Sequence, residues 1–322
     1  MPFNILMDNG LDLANEVMFA LLSPFYYPLD PSRRIFLGFI LVALLMAYVI
    51  YQPETKQKKF SDFLKYFFQR RIWLHRSSIL DIKLMFANSL IKVLFIAPAM
   101  LGKLVIIVAV SSFLRDLFGP METVWLPYVI IMLCFTAVVF IAEDLTRYML
   151  HYAYHRIPCL WEFHKVHHSA EVLTPLTLYR IHPLESFLSQ WASILVIGSL
   201  TGVFVFLFPG QVSAVEILGV DALGFIFNAL GANLRHSHIA FSFGSWDRWF
   251  ISPQMHQIHH SRHRQHHDKN FGSCFAIWDK LAGTLYLPQK NQTLSFGCTQ
   301  AGKHTVLSQW FSPVVRVCQK KP

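Results

Sequence analysis

The stretch "VWLPYVIIMLCFTAVVFIA", residues 124–142, contains no charged side chain and predicts a helix that crosses a membrane. At 1.5 Å per residue, such a helix is about as long as the roughly 30 Å hydrocarbon core of a bilayer. The residues that follow, "EDLTRYMLHYAYH", can continue the same helix, which would carry His151 roughly 13 Å beyond Ala142. The stretch therefore predicts a long helix that brings histidines to one surface of the membrane.

Further apolar segments predict more crossings in a chain that is 54% hydrophobic and only 15% charged. Segment 84–114 is interrupted by Lys92, Pro98 and Lys103, so it is either one long kinked helix or two shorter ones, and one crossing is preferred. Segment 11–29 contains two prolines and is interpreted as an interfacial helix. The other predicted spans are residues 35–51, 186–208 and 212–232. The predicted fold class is all-α: a multi-pass integral membrane helical bundle with a cytoplasmic, histidine-rich helical cap.

The distribution of charge predicts how the chain is oriented. The formal net charge is +9, but many of the lysines and arginines crowd into one loop, residues 52–83, a pattern that suits anionic lipid head groups and no nucleic acid. The excess of positive charge on cytoplasmic loops places this loop in the cytoplasm. Counting spans from there brings residues 151–168 and 236–267 to that same side, and leaves Arg33 and Arg34 outside.

These features predict four regions along the chain. Residues 1–34 form an N-terminal interfacial segment, and residues 35–123 hold membrane spans and the basic cytoplasmic loop. Residues 124–290 form the catalytic domain, which contains every histidine group described next. Residues 291–322 form a C-terminal tail.

Three groups of histidines have the spacing of metal ligands. They are "HYAYH" at 151–155, "HKVHH" at 164–168 and "HQIHH" at 256–260, in a chain with 16 histidines. Residues i, i+3 and i+4 share one face of a helix, so each group directs its imidazoles the same way. Together the three groups supply enough ligands for two metal ions.

The ligand type narrows the choice of metal and of function. Imidazole suits iron, zinc, copper or nickel. A zinc-dependent membrane hydrolase would need a general base such as the Glu of HExxH, and no histidine here is followed by Glu. A polyhistidine membrane metal transporter would hold its ligands near the bilayer midplane, whereas these groups lie beyond the ends of the spans. Both alternatives are disfavoured but stay open, and the residues alone indicate a polyhistidine metal site beside a bilayer.

Five motifs carry a resemblance to a known family: "DLTRYMLHYAYHRIPCLWEFHKVHHS", "LTLYRIHPLES", "RHSHI", "ISPQMHQIHHS" and "DKNFGSCFAIWDKLAGTLYLP". Over about residues 140–290 the chain resembles the membrane-bound fatty acid hydroxylase and sterol desaturase superfamily. The resemblance implies a centre of two Fe ions that uses O2 to hydroxylate or desaturate a C–H bond of a fatty acyl or sterol-like lipid. One departure is Tyr152, where many relatives have Arg.

The resemblance also implies roles for individual residues. Possible metal ligands or supporting residues are His182, His238, His267 and Asp268. By their proximity in sequence to the histidines, and not by the resemblance, the carboxylates that could orient ligand rings are Asp144, Glu162, Glu185 and Asp268. His263 and His266 are assigned to solvent. The expected metal ligands are His151, His155, His164, His167, His168, His236, His256, His259 and His260.

The resemblance further implies that a partner protein supplies the electrons. Because no HPGG-type haem loop or cysteine cluster is visible, we expect a separate electron-transfer protein, ferredoxin-like or cytochrome b5-like, to dock against the basic residues 56–83. A bacterial inner membrane is the preferred location, with the endoplasmic reticulum as the alternative.

Overall fold

The computed structural model describes residues 10–51, 59–93, 102–122, 126–211, 226–227, 231–289, 292–298 and 304–319. Within these ranges the chain forms helices and no β-strand, apart from one isolated bridge between Phe250 and Phe275. The predicted all-α class is confirmed. The α-helices are α1 Gly10–Tyr26, α2 Leu37–Ile50, α3 Phe60–Phe67, α4 Arg70–Trp73, α5 Arg76–Ile91, α6 Gly102–Phe118, α7 Tyr128–Arg156, α8 Pro158–His168, α9 Pro183–Leu207, α10 Pro253–His259, α11 Ile277–Leu281 and α12 Val306–Gln319.

Two of the described helices, α7 and α9, are long and apolar enough to cross a membrane. They pack antiparallel, because Phe135 contacts Phe204 at 5.1 Å while Tyr154, near the other end of α7, lies with its Oη 3.1 Å from Ser189 Oγ. The C-terminal end of α7 and the N-terminal end of α9 therefore meet. Helix α7 also runs without a break to Arg156, as predicted, and so carries His151 and His155 past its apolar part.

Helix α6 lies against α9 and runs parallel to it. Gly102 lies opposite Trp191, and Phe118 contacts Phe206 at 6.4 Å. The approach is closest at Gly202, where an added Cβ would lie 2.8 Å from the carbonyl oxygen of Ile107. The predicted segment 84–114 thus falls on two helices, α5 and α6, and residues 94–101 between them lie outside the described residues.

This close approach leads to a prediction about Gly202. We expect Gly202→Ala to lower the free energy of unfolding by about 1–3 kcal/mol, because overpacking against a main-chain carbonyl outweighs the helix propensity gained from alanine. Gly198→Ala is the matched control, since its nearest neighbours are atoms of the Ile106 side chain at 3.0 Å and 3.1 Å. Thermal unfolding in detergent measures both variants. Equal or higher stability of Gly202→Ala would contradict the inferred helix contact.

The first half of the chain departs from the predicted spans. Helix α2 has 14 residues, which at 1.5 Å per residue is about 21 Å, shorter than the predicted span 35–51. The predicted basic loop 52–83 is largely helical in its described part, because it contains α3, α4 and the start of α5. Segment 212–232 lies mostly outside the described residues.

A buried ion pair fixes α5 against the connection between α8 and α9. Arg180 Nε donates to Asp81 Oδ1 at 2.6 Å, and both side chains are fully buried. The same guanidinium donates to Ser169 Oγ at 2.8 Å and to the carbonyl oxygen of Ser77 at 2.6 Å. Because these bonds satisfy the guanidinium on several sides, they hold the connection in one position beside the histidines.

Candidate metal centre

All nine of the histidines expected to bind metal come together in two groups. In each group the potential ligand atoms lie within 4.8 Å of one another. The two groups adjoin, because the rings of His168 and His260 are 4.6 Å apart. The five-histidine group is His151, His155, His164, His168 and His259, and the four-histidine group is His167, His236, His256 and His260.

Four parts of the chain deliver these side chains. The last turns of α7 and α8 carry the first two histidine boxes, and α10 with the residue after it carries the third. His236 follows the short 3-10 helix Ala232–Leu234. Each box puts its imidazoles on one helical face, as the i, i+3, i+4 spacing predicts.

Contacts at Nδ1 establish the tautomers of several rings. His151 Nδ1 lies 2.8 Å from the carbonyl oxygen of Phe271, and His259 Nδ1 lies 2.8 Å from that of Lys269. His167 Nδ1 lies 3.2 Å from the carbonyl oxygen of Arg180. A carbonyl oxygen only accepts, so these Nδ1 atoms carry the proton and each Nε2 of a neutral ring keeps a free lone pair.

Three Nε2 atoms of the five-histidine group have no donor in the described part of the chain. The Nε2 atoms of His151, His164 and His259 are buried and have no hydrogen-bond partner among the described residues. In the four-histidine group, His236 Nε2 lies 3.0 Å from His256 Nε2 and 3.1 Å from His260 Nε2. Buried acceptors without donors are costly, and a cation bound by each group would satisfy them. The residues present therefore fit two metal ions.

The ionisation of the rings suits metal binding. Burial lowers the pKa of His164 and of His167 to about 3. Burial also lowers the pKa of His236, and the nearby positive charges of Arg34 and Arg235 lower it further. These rings are neutral at physiological pH, the form in which imidazole binds a metal.

Two of the four candidate carboxylates contact ligand rings. Glu185 Oε1 lies 2.9 Å from His164 Nδ1, and Asp268 Oδ1 lies 3.7 Å from His155 Nδ1. The other two bind elsewhere: Asp144 accepts from the backbone of Cys274 and Phe275 and from Trp278 Nε1, and Glu162 pairs with Lys165 and Arg316.

The segment around Lys269 is shaped to present main-chain carbonyls. Asp268 and Asn270 both have left-handed backbone, with φ of 56° and 57°, a conformation that Asp and Asn tolerate better than most residues. The carboxylate of Asp279 accepts from the backbone N–H groups of Phe271 and Gly272 at 2.9 Å and 2.7 Å. These contacts aim the carbonyl groups at His151 and His259.

The remaining candidate histidines lie outside both groups. His182 caps α9, with Nδ1 accepting from Leu184 N and Nε2 lying 2.9 Å from the carbonyl oxygen of Trp310. His238 Nε2 lies 3.0 Å from the carbonyl oxygen of Tyr66, and His267 is exposed. His263 is exposed as predicted, but the prediction for His266 is wrong, since its side chain is buried and contacts Gln292.

Two cavities border the histidines. One, of about 370 Å³, lies between α7 and α9 and reaches His151, His164, His167, His236 and His256. We call it the arginine cavity, because its lining includes Arg34, Arg147 and Arg235. The second cavity, of about 460 Å³, reaches His155, His168, His259 and His260 beside Trp161 and Asp268. Both histidine groups are thus accessible from two sides.

The arginine cavity corrects one prediction and adds residues that sequence reasoning missed. The prediction that Arg34 lies on the opposite side of the membrane from the histidines is wrong, because Arg34 lines this cavity. Arg147 precedes His151 by one helical turn, and Arg235 directly precedes His236. These positions could have indicated that both arginines lie near the histidines. Nothing in the local sequence around Arg34 indicated its position.

Comparison with known proteins identifies relatives that act on lipids. Residues 136–284 match the model of the family "Fatty acid hydroxylase". An ornithine lipid hydroxylase of Rhizobium tropici is 29% identical over 178 residues, which cover 54% of this chain and 48% of that protein. Human alkylglycerol monooxygenase is 28% identical over 160 residues, 50% of this chain and 32% of that protein. Mouse lathosterol oxidase is 25% identical over 147 residues, 45% of this chain and 42% of that protein.

The matches span about half or less of the length of these relatives, and no solved structure matches the chain significantly. The fold and the site define a helical protein with apolar, membrane-length helices and two adjoining polyhistidine groups able to hold metal. Residues 136–284 form a fatty acid hydroxylase domain, so the family resemblance inferred from the histidine motifs is confirmed.

Proposed function

We propose that this protein is a membrane oxidoreductase that uses two iron ions, O2 and external electrons to hydroxylate or desaturate a C–H bond of a lipid. The observation that carries the proposal is the pair of adjoining histidine groups whose buried Nε2 lone pairs face one another beside a cavity. The names of the relatives, which describe lipid hydroxylase, monooxygenase and oxidase activities, support the same reaction class.

Iron is favoured because breaking an unactivated C–H bond requires a metal that changes its oxidation state, and zinc does not. When bound, the irons would supply the activation of O2. In hydroxylation one oxygen atom enters the C–H bond and the other leaves as water, consuming two electrons and two protons. Desaturation removes two hydrogens from adjacent carbons and reduces O2 to two waters with the same number of external electrons and protons.

The protein's own residues prepare the site for that chemistry. Glu185 and the carbonyl groups of Arg180, Lys269 and Phe271 hold four rings with their Nε2 atoms directed inward. Contacts of this kind orient metal ligands and raise their basicity. The cavity between α7 and α9 would position the lipid and limit the access of water, which favours oxidation of a bound C–H bond over side reactions.

We further propose a multi-pass membrane protein whose histidine groups lie at the cytoplasmic surface, in a bacterial inner membrane. The meeting of the C-terminal end of α7 with the N-terminal end of α9 supports one common surface for all the histidines. A separate electron-transfer protein, ferredoxin-like or cytochrome b5-like, would dock on that surface. The exposed cations of α3 to α5, which include Lys65 and Arg76, are its proposed contact.

The proposal is tested with the full chain in lipid nanodiscs, supplied with iron, a chemical or enzymatic reductant and O2 of the heavy isotope. We expect a lipid product that carries heavy oxygen for hydroxylation, or a new double bond with matching O2 consumption for desaturation. His256→Ala should abolish either product. Metal uptake into vesicles without lipid oxidation would instead support a transporter, and hydrolysis without O2 consumption would support a zinc hydrolase.

A further inference from the structure

The arginine cavity holds more positive charge than its carboxylates balance. The lining contains three arginines and two glutamates: Arg147 pairs with Glu143 at 3.2 Å, and Glu185 accepts a hydrogen bond from the neutral ring of His164. No described carboxylate lies within salt-bridge distance of Arg34 or Arg235. Among the described residues, these two guanidinium groups of the lining therefore have no ion-pair partner, and the Asp144 carboxylate acts on Arg235 only from beyond that distance.

The two unbalanced arginines lie close together and are held differently. Both flank the ring of Phe227, with Cζ at 5.5 Å for Arg34 and 4.7 Å for Arg235. Arg235 also donates to the carbonyl oxygens of Ile251 and Ser273, which fixes its position. Among the described residues, the guanidinium of Arg34 has no hydrogen-bond acceptor and lies over the ring of Phe227. Burial, together with the charges of Arg235 and Arg147, lowers the pKa of Arg34 to about 9, so it stays charged near neutrality.

A guanidinium that is removed from water without a counter-ion raises the free energy of the folded protein, and an anion that binds it lowers this cost. Guanidinium groups bind phosphate and carboxylate oxygens through short, charge-assisted and often paired hydrogen bonds. The lining also offers Glu143 Oε1 and Glu185 Oε2, which have no hydrogen-bond partner in the described part of the chain and could accept from a hydroxyl or ammonium group. A cavity with these features suits a polar head group with an anionic centre better than it suits an alkyl chain.

We infer that the lipid substrate carries an anionic group, a phosphate or carboxylate, that binds Arg34 and Arg235 in this cavity next to the histidines. This inference rests on the proposed function for the identity of the ligand as substrate. It names the substrate class as anionic lipids and assigns Arg34 as a residue that determines specificity.

The size of the cavity adds a regiochemical consequence. About 370 Å³ is at the small end of ligand pockets, so the head group and only the nearest carbons of a lipid fit inside. Since the same cavity is lined by His151, His236 and His256, the carbons closest to the metal-binding groups are those next to the head group. The oxidised carbon should therefore lie near the anionic end of the lipid.

The test measures binding to the full chain in detergent by native mass spectrometry, with two lipids of identical short chains. Dioctanoyl phosphatidic acid and dioctanoylglycerol differ only in the phosphate. We expect wild-type protein to bind the phosphatidic acid about tenfold or more tightly, the range of a charge-assisted hydrogen-bonded contact. Arg34→Gln should remove most of this preference, and Arg34→Lys should retain part of it.

Arg33→Gln is the matched control, because it removes the same charge from the neighbouring residue, which pairs with Asp30 instead of lining the cavity. The inference would be overturned if wild-type protein bound the two lipids with equal affinity. It would also be overturned if Arg33→Gln lost as much of the preference for phosphatidic acid as Arg34→Gln. Tight binding of glycerol 3-phosphate would overturn the assignment to a lipid in favour of a free phosphate compound. If Arg34→Gln does not fold, Arg147→Gln, at a side chain that is 55% exposed, should still weaken the preference.

The binding measurement needs no metal, so it separates this inference from the proposed function. Phosphatidic acid preference in protein that binds no iron would support the anionic site while contradicting the oxygenase. Iron binding with lipid oxidation, but without a preference for phosphatidic acid, would support the oxygenase and contradict the anionic site.

Discussion

Protein purified from iron-supplemented cells is expected to contain two iron ions per chain, and His259→Ala and His256→Ala are each expected to leave about one. The reason is that the two replacements remove a ligand from different groups, the five-histidine and the four-histidine group respectively. A site that loses a ligand binds its metal more weakly, while the other group keeps its set. Elemental analysis gives the stoichiometry, and Mössbauer spectroscopy shows whether the two irons are coupled in wild type and uncoupled in each variant.

His238→Ala is the control for that experiment, because His238 lies outside both groups with its Nε2 at the carbonyl oxygen of Tyr66. It should retain both irons. Wild-type protein with one metal or none, or with zinc that iron cannot replace in active protein, would refute the two-iron assignment. Loss of both irons from each single variant would show that the two groups bind metal only together.

Arg180→Ala is expected to lower the free energy of unfolding by about 3–5 kcal/mol, which is the usual cost of leaving a buried charge without its partner. The Asp81 carboxylate would stay buried with one hydrogen bond, from Thr177 Oγ1 at 2.8 Å. The substitution keeps the main-chain carbonyl that contacts His167, so any loss of iron would come from displacement of the backbone. Thermal unfolding of the metal-free protein in detergent measures the effect.

Two further variants make this prediction specific. Arg76→Ala breaks an ion pair with Glu171 in which the side chains are 67% and 32% exposed, and it should cost less than about 1 kcal/mol. Replacing Arg180 and Asp81 together by leucine should recover much of the stability, because no unpaired charge remains. An Arg180→Ala variant as stable as Arg76→Ala would contradict the role assigned to the buried pair.

The histidine groups could be predicted from the sequence because their information is local. The i, i+3, i+4 spacing puts His164, His167 and His168 on one surface of a short helix whatever the rest of the chain does. The long helix through His151 was equally predictable, since an apolar run and its continuation determine it. That the chain then brings the three boxes together followed from the family resemblance and from counting spans.

Features that depend on distant parts of the chain were not predictable in the same way. Arg34 lies near the histidines because the chain packs there against Asn233, whose side chain donates to the carbonyl oxygen of Arg34. The periodicity of the sequence does not indicate a contact between residues so far apart in the chain. Arg34 was placed outside because residues 35–51 were counted as a full crossing from the loop that the positive-inside rule puts in the cytoplasm, whereas α2 has only 14 residues. His266 was assigned to solvent because its neighbours are polar, but the segment around Gln292 covers it.

The carbonyl groups behind His151, His167 and His259 have a consequence for how this site tolerates change over evolutionary time. These acceptors belong to the backbone of Phe271, Arg180 and Lys269, so almost any residue type at those positions can supply them. At Lys269 the side chain is free to change as far as ring orientation is concerned, whereas the Phe271 side chain also packs against the rings of His151 and His259, and the Arg180 side chain forms the buried ion pair with Asp81. An insertion or deletion between residues 260 and 271 would shift two of the three acceptors at once, so loop length in this segment should be far more constrained than its composition.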